Sequence, residues 1–306
     1  MRAEVGAGPA QVVPRPLDGA GVSQVLPRRS AQGHKFSFGV VVAVAGSLDY
    51  AGAAYMTALG AARAGAGMVA LAVPDSLRPL FAGRLPEAIV TGLPEQASGV
   101  VEPAGSVRAV LERDPAAIVI GPGLKESPDY AAMLVQLLGA SRAPVVVDAG
   151  ALALLGDAGE WWTEARTHCV LTPHVGEFRR LTGVAPADDD EERIRACRTA
   201  ADRFGHVVVL KGARTVVAEP GGNVAISPFT NALLATAGSG DVLAGYIGGL
   251  LGQGATPFDA ACAGVYLHGA AGERLSERLG DAGLLATELA LEMAHARHDI
   301  VSANAG

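Results

Sequence analysis

The stretch Ala237-Gly238-Ser239-Gly240-Asp241, continued by Val242-Leu243-Ala244-Gly245-Tyr246-Ile247-Gly248-Gly249-Leu250-Leu251, decides how this chain is read. A Gly-Ser-Gly turn opening an apolar helix leaves backbone N–H groups unpaired ahead of the helix. A transferring phosphoryl group fits there. Asp241 then stands beside the phosphate as a candidate base, and the alanines and glycines of the helix suit close packing.

Outward from that turn, short β-branched runs alternate with alanine-rich segments. Gly39–Val44, Met68–Val73, Ala116–Ile120, Pro144–Val147, Cys169–Leu171 and His206–Leu210 read as strands, each bounded by glycine, proline or aspartate. Ala51–Ala64 and Tyr130–Leu138 read as intervening helices. The alternation predicts an α/β fold with a mostly parallel central sheet and helices on both faces. Thr215–Ala218 and Asn223–Ile226, joined through Pro220-Gly221-Gly222, carry a hairpin signal. Further helices are expected at Pro257–Leu279 and near Thr287–Arg297. Residues 1–32 are rich in proline, glycine and alanine and read as a poorly ordered arm leading into a short segment at Val22–Leu26, leaving 33–300 as a single domain.

Composition narrows the function. A formal net charge of -7 argues against a nucleic-acid footprint, and Arg28, Arg29 and Lys35 make only a local basic patch. Cys169, Cys197 and Cys262 are scattered and odd in number, which predicts neither a disulfide framework nor a cysteine metal site and suits a reducing cytoplasm. The absence of a long apolar run predicts a chain outside the membrane.

Ligands of α/β sheets collect at the carboxyl ends of the strands. There this chain places five unusual loops: Gly46-Ser47, Gly121-Pro122-Gly123-Leu124, Asp148-Ala149-Gly150, Thr172-Pro173-His174-Val175-Gly176-Glu177-Phe178 and Lys211-Gly212-Ala213-Arg214-Thr215. Each admits a plain reading beside the functional one. Thr172 and Pro173 have the form of an N-cap and first helical residue, which would leave His174 and Glu177 as surface residues one turn apart. Functionally, the same pair faces one cleft, with His174 on substrate and Glu177 near a magnesium-bound phosphate, directly or through water. Lys211 reads equally as a phosphate clamp or as an exposed turn. Asp148 reads as a helix cap, Asp188–Glu192 as a solvated first helical turn, and His268 as a packed residue.

In order along the chain, these motifs resemble the ADP/ATP-dependent NAD(P)H-hydrate dehydratases, a branch of the ribokinase-like superfamily. The resemblance spans about residues 22 to 297, and its most particular elements are Gly46-Ser47 with Gly52-Ala53-Ala54 and the string Thr172–Phe178. It implies a three-layer sandwich and repair of hydrated nicotinamide cofactor. In that reaction ADP or ATP phosphorylates the C6 hydroxyl of the S epimer, and phosphate then leaves. It implies Asp241 as general base, with Ala54, Gly123, His174 and Asp241 on the substrate side. Lys211, Gly212, Ala213, Arg214, Thr215, Gly238, Ser239 and Gly240 fall on the nucleotide side, with Mg²⁺ near Glu177. A homo-oligomer is implied, with which the small-residue helical faces near Ala260–Ala271 are compatible, and the epimerase domain sometimes fused to this family is not expected here.

The segment Ser227-Pro228-Phe229-Thr230-Asn231 departs from the family's usual Asn-Pro-Thr-Gly-Asn-like run, which bears on nucleotide affinity. Two other readings compete: a small-molecule kinase of the same superfamily, acting on a sugar, pyrimidine or thiazole alcohol, and a non-catalytic nucleotide-binding protein.

Overall fold

Twelve strands occur among residues 14–304, which the structure, a computed structural model, describes. They are β1 (Arg15–Pro16), β2 (Val40–Val44), β3 (Met68–Pro74), β4 (Ala88–Leu93), β5 (Glu95–Ala97), β6 (Val100–Val101), β7 (Ala117–Ile120), β8 (Val145–Val147), β9 (Cys169–Leu171), β10 (Val207–Leu210), β11 (Val216–Ala218) and β12 (Val224–Ile226). Ten of them form one sheet in the order β1-β12-β11-β10-β9-β8-β7-β2-β3-β4, while β5 and β6 form a separate antiparallel pair. From β10 to β4 all neighbours are parallel. The hairpin β11–β12 is antiparallel, as expected from its turn, and β1 adds to its outer edge in parallel.

The helices are α1 (Gly19–Val25), α2 (Ala51–Ala64), α3 (Arg78–Phe81), α4 (Pro103–Leu111), α5 (Pro128–Ala140), α6 (Gly150–Asp157), α7 (Val175–Thr182), α8 (Asp190–Phe204), α9 (Ser239–Gly252), α10 (Pro257–Leu279) and α11 (Ala286–Ala303). Strand side chains alternate between the two faces. Val41 and Val119 point into a core with α2, α9, α10 and α11. Val42 and Ile118 point into a second core with α4 to α8. Helix, sheet and helix thus make the expected three layers.

Small residues bring α2 and α9 together. A Cβ on Gly60 would lie 2.3 Å from the Val242 carbonyl oxygen, and one on Gly249 would lie 2.5 Å from the Ala64 Cβ. The alanines and glycines of the sequence therefore serve close approach of helix backbones.

Two expectations are corrected, and an edge strand had no counterpart in the sequence reading. Within the segment read as a poorly ordered arm, β1 and α1 are folded, and Leu17, Val22 and Leu26 are buried in the first core. Residues 1–13 lie outside the described region. The edge strand β4 was not foreseen, because its mixed burial and Gly92 hide the periodicity. The small residues of α10 that looked available for subunit packing, including Ala260, Ala263 and Ala271, are buried within the protomer.

Candidate active site

Gly238 takes φ +88°, in the left-handed region open to glycine, and turns the chain into α9. The Ser239 N–H is spent on the Thr236 carbonyl at 3.3 Å, and the Ser239 hydroxyl donates to the Leu234 carbonyl at 2.8 Å. First-turn geometry leaves Gly240 and Asp241 N–H without intrahelical acceptors. Of the amides at this turn, Ser239 N–H is therefore not available to an incoming anion.

Lys211 follows β10 and brings its ammonium to that turn: a Cβ on Gly240 would lie 3.5 Å from Nζ. Its side chain is 20% exposed, while Gly212 and Ala213 of the same turn face solvent. Nζ donates to Asp148 Oδ1 at 2.7 Å and lies 3.9 Å from Glu177 Oε2. Burial works against the Lys211 charge, but Asp148, Glu177 and Asp241 outweigh it and hold the pKa above its ordinary value. Arg193, which sequence reasoning missed, is buried and donates to the Leu210 and Lys211 carbonyls, fixing the loop from behind. No local pattern distinguishes it from the other charges of α8.

Asp148 does not cap a helix. The N-cap of α6 is Ala149, without a side-chain bond, and Asp148 instead accepts from Lys211 and from Thr172 Oγ1 at 2.7 Å. Asp241 is half-buried. Burial first, then the Asp148 and Glu177 charges, push its pKa up to about 6, while Lys211 opposes them. A carboxylate with that pKa is ionised at neutral pH yet basic enough to accept a proton.

The α7 helix begins later than the Thr172-Pro173 pattern suggested. His174 is the N-cap, its Nδ1 accepting from Gly176 N–H at 3.0 Å and Glu177 N–H at 3.2 Å. Glu177 completes a capping box by accepting from the His174 N–H at 2.9 Å. His174 remains 61% exposed and lines a cavity of about 670 Å³. Burial raises the Glu177 pKa, with Lys211 lowering it and Asp148 raising it further. Asp189 caps α8, so the acidic run is the first helical turn it was read as.

The same cavity gathers Lys211, Gly212, Ala213, Thr215, Ser239 and Gly240 from the expected nucleotide side. Gly238 and Arg214 are not among its walls, and Arg214 instead pairs with Asp190 and donates to the Ser227 carbonyl. Phe229, Leu243, Val265 and His268 were not anticipated as walls. The departure at Phe229 was the visible signal, and its ring packs on Gly269 and edge-on against Tyr266. His268 Nε2 lies 3.2 Å from the Ser239 carbonyl oxygen, and burial lowers its pKa to about 4, so the neutral ring donates there.

A second cavity of about 470 Å³, lined by Tyr55, Met56, Phe81 and Arg84 among others, borders the same turn, since a Cβ on Gly238 would lie 3.4 Å from Met56 Cγ. Gly123, at φ +69°, leaves room for the Tyr50 carbonyl and Ala53. Ala54 has no exposed surface and faces Gly46, so its side chain offers nothing to a substrate.

No group of three or more His, Cys, Asp or Glu side chains that could hold a metal ion occurs among the described residues. Mg²⁺ ordinarily takes one or two carboxylates and completes its shell with water and phosphate oxygens. The part-buried Glu177 carboxylate fits that mode, and an all-protein cage is not needed.

Comparison with known proteins identifies the family. The family model described as NAD(P)H-hydrate dehydratase matches residues 41–294, and the chain belongs to that family. The ADP-dependent (S)-NAD(P)H-hydrate dehydratase of Neisseria meningitidis serogroup B is 39% identical over 87% of this chain and 87% of its own. The bifunctional NAD(P)H-hydrate repair enzyme Nnr of Moorella thermoacetica is 41% identical over 90% of this chain, which spans only 52% of that relative. The chain covers about half the length of such bifunctional relatives. The ADP/ATP-dependent NAD(P)H-hydrate dehydratase from Bacillus subtilis, co-crystallized with ATP/Mg²⁺, superposes with a TM-score of 0.78 at 31% identity, covering 95% of this chain and 100% of that one. A ribokinase-like superfamily protein from Enterococcus faecalis shares the fold with a TM-score of 0.76 at 24% identity, covering 94% of this chain and 96% of that one, so the three-layer architecture is the ribokinase-like fold.

Proposed function

We propose that this chain converts the S epimer of hydrated NADH and NADPH back to the reduced cofactor at the expense of ADP or ATP. The observation carrying this reading is the meeting, at the first turn of α9, of the Lys211 ammonium with a carboxylate, Asp241, whose pKa is raised to about 6.

Asp241 takes the proton of the C6 hydroxyl as its oxygen bonds to the terminal phosphorus of the nucleotide, whose bridging P–O bond breaks. General-base catalysis of this kind contributes about 10² to 10⁴ in rate. Lys211 and the Gly240 and Asp241 amides receive charge on the transferring oxygens. The ring-nitrogen lone pair then expels phosphate from C6, and loss of a C5 proton restores the double bond.

Glu177 would hold Mg²⁺, directly or through water, and the ion would neutralise nucleotide phosphate charge. The cavity walled by Lys211, Gly212, Ala213, Thr215, Ser239 and Gly240 supports the nucleotide side, while Gly123 and His174 support the substrate side. The same reading includes a single ribokinase-like domain and a cytoplasmic location, to which three unpaired cysteines are suited. Among the described residues no helix is long and apolar enough to cross a membrane. It also includes a homo-oligomer, supported by the exposed Leu48 and Tyr50.

The test combines purified protein, hydrated NADH, Mg²⁺ and ADP or ATP, and follows return of the reduced-nicotinamide absorbance. Recovery with either nucleotide is expected, and recovery with neither would reject the reading.

A further inference from the structure

Behind the anion-binding turn stands a carboxylate to which the proposed reaction gives no task. Asp148 is 1% exposed and lines neither the nucleotide cavity nor the one beside Met56. A buried carboxylate is costly unless it is fully engaged. Its Oδ1 accepts at 2.7 Å from Thr172 Oγ1 and at 2.7 Å from Lys211 Nζ. The other carboxylate paired with Lys211, Glu177, is farther away at 3.9 Å.

The backbone around Asp148 is held on both sides. Ala149 takes φ +48°, a region that residues with a Cβ rarely adopt. Gly121 lies so close that a Cβ there would fall 1.8 Å from the Asp148 carbonyl oxygen. Three elements thus converge on this residue: β8 leads into it, Thr172 at the end of β9 donates to its carboxylate, and the Gly121 loop packs on its backbone carbonyl. Strain tolerated beside a buried charge marks a position set by function rather than by local preference.

We infer that Asp148 is a positioning residue for phosphoryl transfer, acting through Lys211. Its carboxylate anchors an ammonium that would otherwise sample the rotamers of a long side chain, and keeps it at the first turn of α9. A charge-assisted hydrogen bond of normal length is strong and directional enough for this. Pre-ordering lowers the cost of placing the cation when the phosphates arrive. The inference rests on the reading of Lys211 as a phosphate-side group.

A double-mutant cycle tests it, using Asp148→Ala, Lys211→Ala and the double variant. Titration calorimetry is run with ATP and with adenosine as an uncharged probe, and kcat is measured with hydrated NADH. Asp148→Ala should weaken ATP binding by about tenfold, comparable to losing one charge-assisted contact. Adenosine binding should be unchanged. In the double variant the loss should be no greater than in Lys211→Ala alone.

Losses that multiply, or a parallel fall in adenosine binding, would overturn the inference while leaving the role of Lys211 intact. Unaltered ATP binding in Lys211→Ala would instead remove the reading beneath it. Should Asp148→Ala fail to fold, Asp148→Asn preserves the shape and the Thr172 contact while deleting the charge. The same non-additivity with Lys211→Ala is then required.

Discussion

Gly245 of α9 meets the backbone of Thr57 in α2, where a Cβ on the glycine would lie 2.0 Å from the Thr57 carbonyl oxygen. That contact packs the helix carrying Asp241, the proposed base, directly against the helix that follows the Gly46–Tyr50 loop. Gly245→Ala cannot be relieved by a side-chain rotation, since the obstacle is backbone. It should cost about 1–3 kcal/mol or more by overpacking. Gly139→Ala, whose nearest neighbour would be 3.6 Å away, should instead be neutral or gain up to about 1 kcal/mol of helix propensity. Urea denaturation of the two variants should move in opposite directions or leave only the first affected.

The raised pKa of Asp241 fixes two pH dependences of opposite sense. As a base it works when ionised, so kcat/KM should fall as pH drops through about 6. For stability the sign reverses: a carboxyl whose folded pKa exceeds the unfolded 3.8 contributes fully below that value and loses its contribution as pH rises through about 6. Asp241→Asn should abolish turnover, largely spare nucleotide binding, and gain stability over the parent at pH 8 more than at pH 5. Paired thermal melts at the two pH values, with calorimetry for the nucleotide, check this.

His174 is both an N-cap and a cavity wall, and the two roles separate by substitution. His174→Ala removes the acceptor for the Gly176 and Glu177 amides and should cost about 0.5–2 kcal/mol. Asparagine is a good N-cap, so His174→Asn should retain stability. If the ring also contacts the hydrated cofactor, His174→Asn still raises KM; an unchanged KM would reduce His174 to a cap.

Leu26 lies in the segment read from sequence as a poorly ordered arm, yet it is 3% exposed within the first core. Leu26→Ala should therefore cost about 2–5 kcal/mol, as for a core leucine. A change within about 0.5 kcal/mol, typical of a surface site, would contradict the packing.

The parallel strands β2, β3 and β7 to β10 were legible because valine-rich runs buried on both faces stand out between glycines and prolines. The hairpin was legible from its Pro-Gly-Gly turn. Other features depend on partners distant in sequence, and no local pattern reveals them. Asp148 looks like any aspartate before a helix until Lys211, 63 residues on, is brought beside it. Arg214 looks like one more nucleotide-side cation until α8 offers Asp190. Ser239 N–H reads as free from the motif alone, but the preceding turn supplies the Thr236 carbonyl. The motif points to the first turn of α9, and tertiary contacts decide which of its groups are available.

The pairing of Arg15 with Ala225 and Pro16 with Ile226 carries a consequence for biosynthesis. The outermost strand of the sheet is translated first, but its docking edge emerges some 210 positions later. At ordinary ribosomal speeds of roughly 5–20 residues per second, that interval is on the order of 10 to 40 s. During it the apolar side chains Leu17, Val22 and Leu26 have no finished surface to cover, so the segment carrying β1 and α1 waits unpacked until the last hairpin is made.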